Sequence, residues 1–129
     1  MKVKANDLGV CGVQQLFYAG SIAFNTEDAD KGVKLCNVPH TAIITRAVAA
    51  VKTAFNAGTT NVLTVGTNDD ANNILGASDI TEGTAGTYSA DRFLTVEKGA
   101  SVTAKFTQTG TAATAGEAEI YLFAVGTPE

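Results

Sequence analysis

Residues 41–67 constrain the fold more than any other stretch, because a long β-branched run meets a Gly-Thr turn and a second apolar run in 27 residues. Ile44, Arg46, Val48, Ala50 and Lys52 alternate with Ile43, Thr45, Ala47, Ala49, Val51, Thr53 and Phe55, which is the period of a strand. Ile43, Ala47, Ala50, Val51 and Ala54 also fit a helical stripe. The β-branched content and the return of Val62–Val65 after the turn at 56–61 favour strand. The spacing predicts a β-hairpin over 41–67, closed by Gly66.

The same grammar recurs along the chain. Residues 13–25 read as strand, with Gly20 marking a bulge or break, and 26–32 as an acidic turn. Residues 33–38 form a short strand stopped by Pro39. Residues 67–76 read as a polar loop with a helical turn tucking Ile74 and Leu75 under a sheet, and 82–90 as an exposed loop anchored by Tyr88. Residues 92–96 and 101–108 predict a second hairpin about the turn at 97–100. Residues 117–125 close the chain with Ile120, Leu122 and Ala124 alternating against Tyr121, Phe123 and Val125, so both faces of that strand are apolar. Phe55-Asn-Ala-Gly58-Thr59 and Phe106-Thr-Gln-Thr-Gly110-Thr111 echo one another, each leading into strand and then Val-Gly-Thr. The echo predicts two similar hairpins in one sandwich.

These elements predict an all-β fold, an antiparallel β-sandwich of jelly-roll-like type. An extended N-terminal arm over 1–11 precedes a single domain over 12–129, and 129 residues suffice for a real core. Charged residues make up 17% of the chain, below the roughly 25% of an average soluble protein, so its surface is small and neutral. Such a surface suits close packing against neighbours. A net charge of −4 without a basic cluster argues against nucleic acid as a partner. No apolar run is long enough for a helical membrane span, and the first residues are too polar for an export signal, so neither a membrane nor secretion is expected. Cys11 and Cys36 are accordingly expected to be free thiols, with pairing left open.

Chemistry-bearing motifs are sparse. His40 is the only histidine and follows a proline in a turn. Neither it nor the cysteines sit in an activating context. Asp28 and Asp30 with Gly32 fall short of a calcium loop, since the glycine comes too early and the distal glutamate is missing. Asp69, Asp70, Asp79 and Glu82 read as loop carboxylates. No catalytic residue, metal site or cofactor is expected, and the chain is not expected to be an enzyme. Candidate interface residues are Val3 and Leu8 in the arm, Phe17 and Tyr18 near the first strand, and Tyr121, Phe123 and Val125 on the two-faced closing strand.

Residues 53–67 and 104–120, with the lead-in at 38–45, resemble small β-sandwich virion proteins of tailed bacteriophages, described as head decoration, minor head or tail-associated proteins. The resemblance covers 38–126 and carries no active site. It implies a capsid decoration, or cement, protein that stabilises the head through protein–protein contacts. Its expected partners are the major capsid protein or other virion proteins, and its expected location is the virion, assembled in the host cytoplasm. It also implies a homo-oligomer, a trimer at symmetry axes. The alternative it leaves open is a tail or head-fibre module binding host glycans through loops 83–90 and 109–116.

Overall fold

The computed structural model describes residues 15–38, 41–67 and 70–126. Eight strands and no helix are found among them: β1 (Gln15–Ala23), β2 (Val33–Asn37), β3 (Ala42–Thr53), β4 (Thr60–Thr67), β5 (Asp70–Leu75), β6 (Gly86–Val96), β7 (Ser101–Thr109) and β8 (Glu117–Gly126). They form two four-stranded antiparallel sheets, ordered β1-β8-β3-β6 and β2-β7-β4-β5. The result is the expected β-sandwich. The arm expected over 1–11, with its Val3 and Leu8, lies outside the described residues, as do His40, Asp69 and Cys11.

The pairing is nested. β1 pairs β8, β2 pairs β7, β3 pairs β6 and β4 pairs β5, as though one long hairpin had been rolled up. The roll is sealed by two further ladders, β3 with β8 and β4 with β7.

This order corrects the expected hairpins. β3 and β4 are strands, but they belong to opposite sheets, and the 54–59 connection is an arch across the sandwich. β6 and β7 likewise belong to opposite sheets, even though a tight turn at 97–100 joins them. The reason is physical: alternation reports which face of a strand is buried, and two strands facing each other across a core alternate as cleanly as two strands side by side. The true short-range pair is β4 with β5. β5 was expected as a loop with a helical turn, yet Ile74 and Leu75 do end up fully buried. β6 also begins earlier than expected, at Gly86, while the Tyr88 hydroxyl donates to the Thr84 carbonyl at 2.7 Å and so anchors the preceding loop. Gly20 marks a bulge within one continuous β1.

The core lies between the sheets. Ile22, Ile44, Ile120 and Leu122 from one sheet meet Leu63, Val65, Ile74 and Phe106 from the other, all essentially inaccessible to water. Each side chain of this size contributes about 1.5–3 kcal/mol on burial. Phe55 descends from the arch into this layer, its ring centroid 4.6 Å from that of Phe106. Glu82 pins the arch from beneath: its backbone carbonyl accepts from the Phe55 N–H at 2.9 Å and its carboxylate from the Leu63 N–H at 2.8 Å.

Candidate interaction face

The two outward faces of the sandwich differ in chemistry. On the β2-β7-β4-β5 sheet, inward Val102, Ala104 and Phe106 alternate with outward Thr103, Lys105 and Thr107, and Thr64 lies beside Lys105 in register. Thr60 and Thr109 join hydroxyls at 2.7 Å, and Thr103 donates to the Gly66 carbonyl at 3.3 Å. No aromatic side chain faces outward from those four strands. Such a surface remains well solvated.

The β1-β8-β3-β6 sheet is different. Its inward residues are Ala47, Ala49, Val51, Ala118, Ile120 and Leu122. Alternation therefore turns Val48, Tyr121, Phe123 and Val125 outward, and a register shift between the inward Ile44 and Arg46 does the same for Ile43; each remains partly exposed. Register brings them together: Ile43 lies opposite Val125, Val48 opposite Tyr121, and Tyr18 opposite Tyr121 on the other side. The Tyr18 and Tyr121 rings meet at 5.3 Å, tilted by 57°. Tyr18 is 52% exposed and Phe93 89% exposed.

Four of the seven expected interface residues, Tyr18, Tyr121, Phe123 and Val125, thus share one face. Val3 and Leu8 are outside the described residues. Phe17 is placed by its backbone in β1, at the register position of Leu122. Sequence reasoning missed Phe93. The signal was available, since Asp91, Phe93 and Thr95 alternate with Arg92 and Leu94, and the two polar members of the first set indicate which way it points.

An irregularity in the sheet displays Phe93. Thr45 is an extra residue relative to β8, while β6 spends both Arg92 and Phe93 over the same interval, so the register of β3 shifts between Ile44 and Arg46 against both neighbours. The Thr45 hydroxyl donates to the Phe123 carbonyl at 3.3 Å. Bulges of this kind re-aim side chains. Here the distortion leaves a shallow depression of about 350 Å³ lined by Thr45, Arg46, Asp91, Phe93 and Phe123. Arg46 Nε donates to Asp91 Oδ1 beside it at 2.9 Å. Lys52 and Glu119 form a second exposed pair at 3.3 Å towards the far end of the sheet. Exposed pairs of this sort add little to stability. They do leave the middle of the face electrically balanced.

Of the loop carboxylates, Asp79 and Glu82 have partners within the fold. Asp79 accepts from the Gly76 N–H at 2.8 Å and from Arg92 at 2.5 Å, and Glu82 holds Leu63. Arg92 itself is the inward-facing charge of the edge strand β6, a device that discourages uncontrolled edge pairing. Cys36 is half-buried in β2, and burial pushes its thiol above the ordinary value, with Lys34 pulling weakly the other way. The loop over 109–116 is fastened: Ala113 N–H donates to Gln108, and Thr114 and Ala115 N–H groups both donate to Asn56 Oδ1, at 2.7, 2.8 and 3.0 Å.

No protein-family model matches the chain, and no curated protein matches its sequence. Solved structures do. A chain of the cyanophage Pam1 capsid asymmetric unit superposes with a TM-score of 0.67 at 22% identity, over 89% of this chain and 85% of that one. A chain of the acidic stable capsid structure of Helicobacter pylori bacteriophage KHP30 superposes with a TM-score of 0.57 at 15% identity, over 88% of this chain and 93% of that one. The likeness is one of fold.

Proposed function

We propose that the chain is a structural protein of a bacteriophage particle, acting through protein–protein contacts and not as an enzyme. The observation that carries this reading is the likeness to chains of two phage capsids over nearly nine-tenths of its length. The nested strand order agrees with it, because two four-stranded sheets rolled from one long hairpin are the jelly-roll arrangement widespread in viral capsid domains. The two unlike faces give the role its physical form. The aromatic β1-β8-β3-β6 face packs against neighbouring virion proteins, and the threonine face of the other sheet meets water.

Within that role we favour a decoration protein added to the head, with the major capsid protein as partner, assembling where phage heads assemble, in the host cytoplasm. A threonine-covered, aromatic-free outer sheet suits the exposed side of such a subunit. No observation among the described residues favours glycan binding: residues 86–90 are strand, and the 109–116 loop is held by its own hydrogen bonds.

Co-sedimentation tests the reading. Purified heads are expected to carry the protein in stoichiometric amount, and heads stripped of it are expected to rupture at lower temperature. Absence from purified heads, or loss without effect on their rupture, would contradict the decoration role.

A further inference from the structure

The same face that we read as a docking surface carries a knob and a hollow at one place, and their position restricts what fits there. Phe93 is the knob, 89% exposed, and it also lines the depression formed with Thr45, Arg46 and Phe123. A ring or filament of identical subunits places knob and hollow on different sides of the subunit, because each copy must offer one to each neighbour. A two-fold contact requires the opposite, a patch complementary to itself. Here knob and hollow are adjacent. A two-fold axis beside Phe93 seats the Phe93 of each copy against Phe123 of the other.

The charges fit this operation. Arg46 and Asp91 flank the hollow, with 50% and 72% of their side chains exposed. Rotation about that axis brings the Arg46 of one copy towards the Asp91 of the other, so the pair can exchange partners without an uncompensated charge. Four strands at about 4.8 Å and ten residues at about 3.4 Å give a whole face of roughly 650 Å², of which a contact beside Phe93, on the edge strand β6, covers a part.

We propose that a second copy of this chain docks on the β1-β8-β3-β6 face as a two-fold dimer centred on Phe93, with Arg46 and Asp91 exchanged across the axis. The proposal rests on the reading of this face as a docking face, and it concerns the isolated protein, whereas head co-sedimentation concerns the particle. Each can therefore fail without the other.

Sedimentation equilibrium of the purified full chain tests it. The wild type is expected at the mass of a dimer. Phe93→Ser, at a position too exposed to matter for folding, is expected to weaken the dimer roughly 30-fold, the loss typical of a hot-spot aromatic. Arg46→Glu places two acidic side chains face to face, and Asp91→Arg places two basic ones, so each variant alone is expected to be a folded monomer, its melting temperature lowered by the loss of the dimer. Mixed one to one they are complementary across the axis, and a heterodimer is expected. A wild-type monomer, a trimer as the phage resemblance suggests, a Phe93→Ser variant as dimeric as wild type, or charge variants that stay monomeric on mixing would each overturn the two-fold dimer.

Discussion

Gly58 donates its backbone N–H to the carbonyl of Thr111 at 2.8 Å, so the two Gly-Thr turns that echo each other in the sequence touch each other in the fold. The next residue repeats the contact, Thr59 N–H to the Thr109 carbonyl at 3.0 Å. Gly110 is pressed into this junction with φ at +84°, and a Cβ there would stand 2.8 Å from the Thr59 nitrogen. Gly99 has a similar φ of +87° with nothing within 4 Å of the added Cβ. The comparison separates strain from collision. Gly99→Ala is expected to cost about 1–2 kcal/mol from backbone conformation alone. Gly110→Ala is expected to cost clearly more, because backbone must move as well. Urea denaturation of the two variants measures the difference.

Glu82 is 7% exposed and supplies the sole described side-chain acceptor for the Leu63 N–H within β4. Glu82→Ala leaves that buried donor unpaired, and a loss of about 1–3 kcal/mol is expected. Glu82→Gln keeps an acceptor oxygen and is expected to lose less. Equal destabilisation by both variants in thermal or urea unfolding would show that the charge, and not the acceptor, matters.

The Phe55–Phe106 contact closes the arch onto the core. Phe55→Ala removes a 2%-exposed ring, and about 3–5 kcal/mol is expected, a large part of a typical domain's stability. Phe55→Leu refills most of the volume and should recover over half of that. Denaturant midpoints at constant slope report both.

Burial raises the Cys36 thiol. Its alkylation by iodoacetamide, followed peptide by peptide, is therefore expected to rise with pH along a curve displaced upward from that of the urea-unfolded chain. The sign for stability follows. Between the ordinary thiol value and the raised folded one, the unfolded chain releases a proton that the folded chain keeps, so stability falls as pH rises through that window. Cys36→Ser should flatten that fall.

Much of the fold was legible in the sequence where residues alternate strictly. Ala42–Thr53 and Glu117–Gly126 declare themselves strands because β-branched and aromatic side chains recur at a period of two. Sheet membership was not legible. Nothing in residues 54–59 says whether the chain turns beside itself or arches over a core, since that is decided by Phe55 reaching Phe106 and by Glu82, 27 residues beyond it in sequence. β5 was hidden for another reason: Asp-Ala-Asn-Asn has weak strand propensity, and an edge strand relies on its neighbour β4 for order. The aromatic face was half legible. Tyr121, Phe123 and Val125 stood out as the second apolar face of one strand, but Phe93 gains meaning only when the irregularity at Thr45 sets it beside Phe123.

Cryo-electron microscopy of purified phage heads from cells that produce this chain tests the proposed role most directly. The account predicts density for the eight-stranded sandwich at ordered positions on the shell, with Tyr121, Phe123 and Phe93 buried against a neighbouring subunit and the threonine face of β4 and β7 towards solvent. A shell without this sandwich, or one in which the aromatic face looks into solvent, would contradict it.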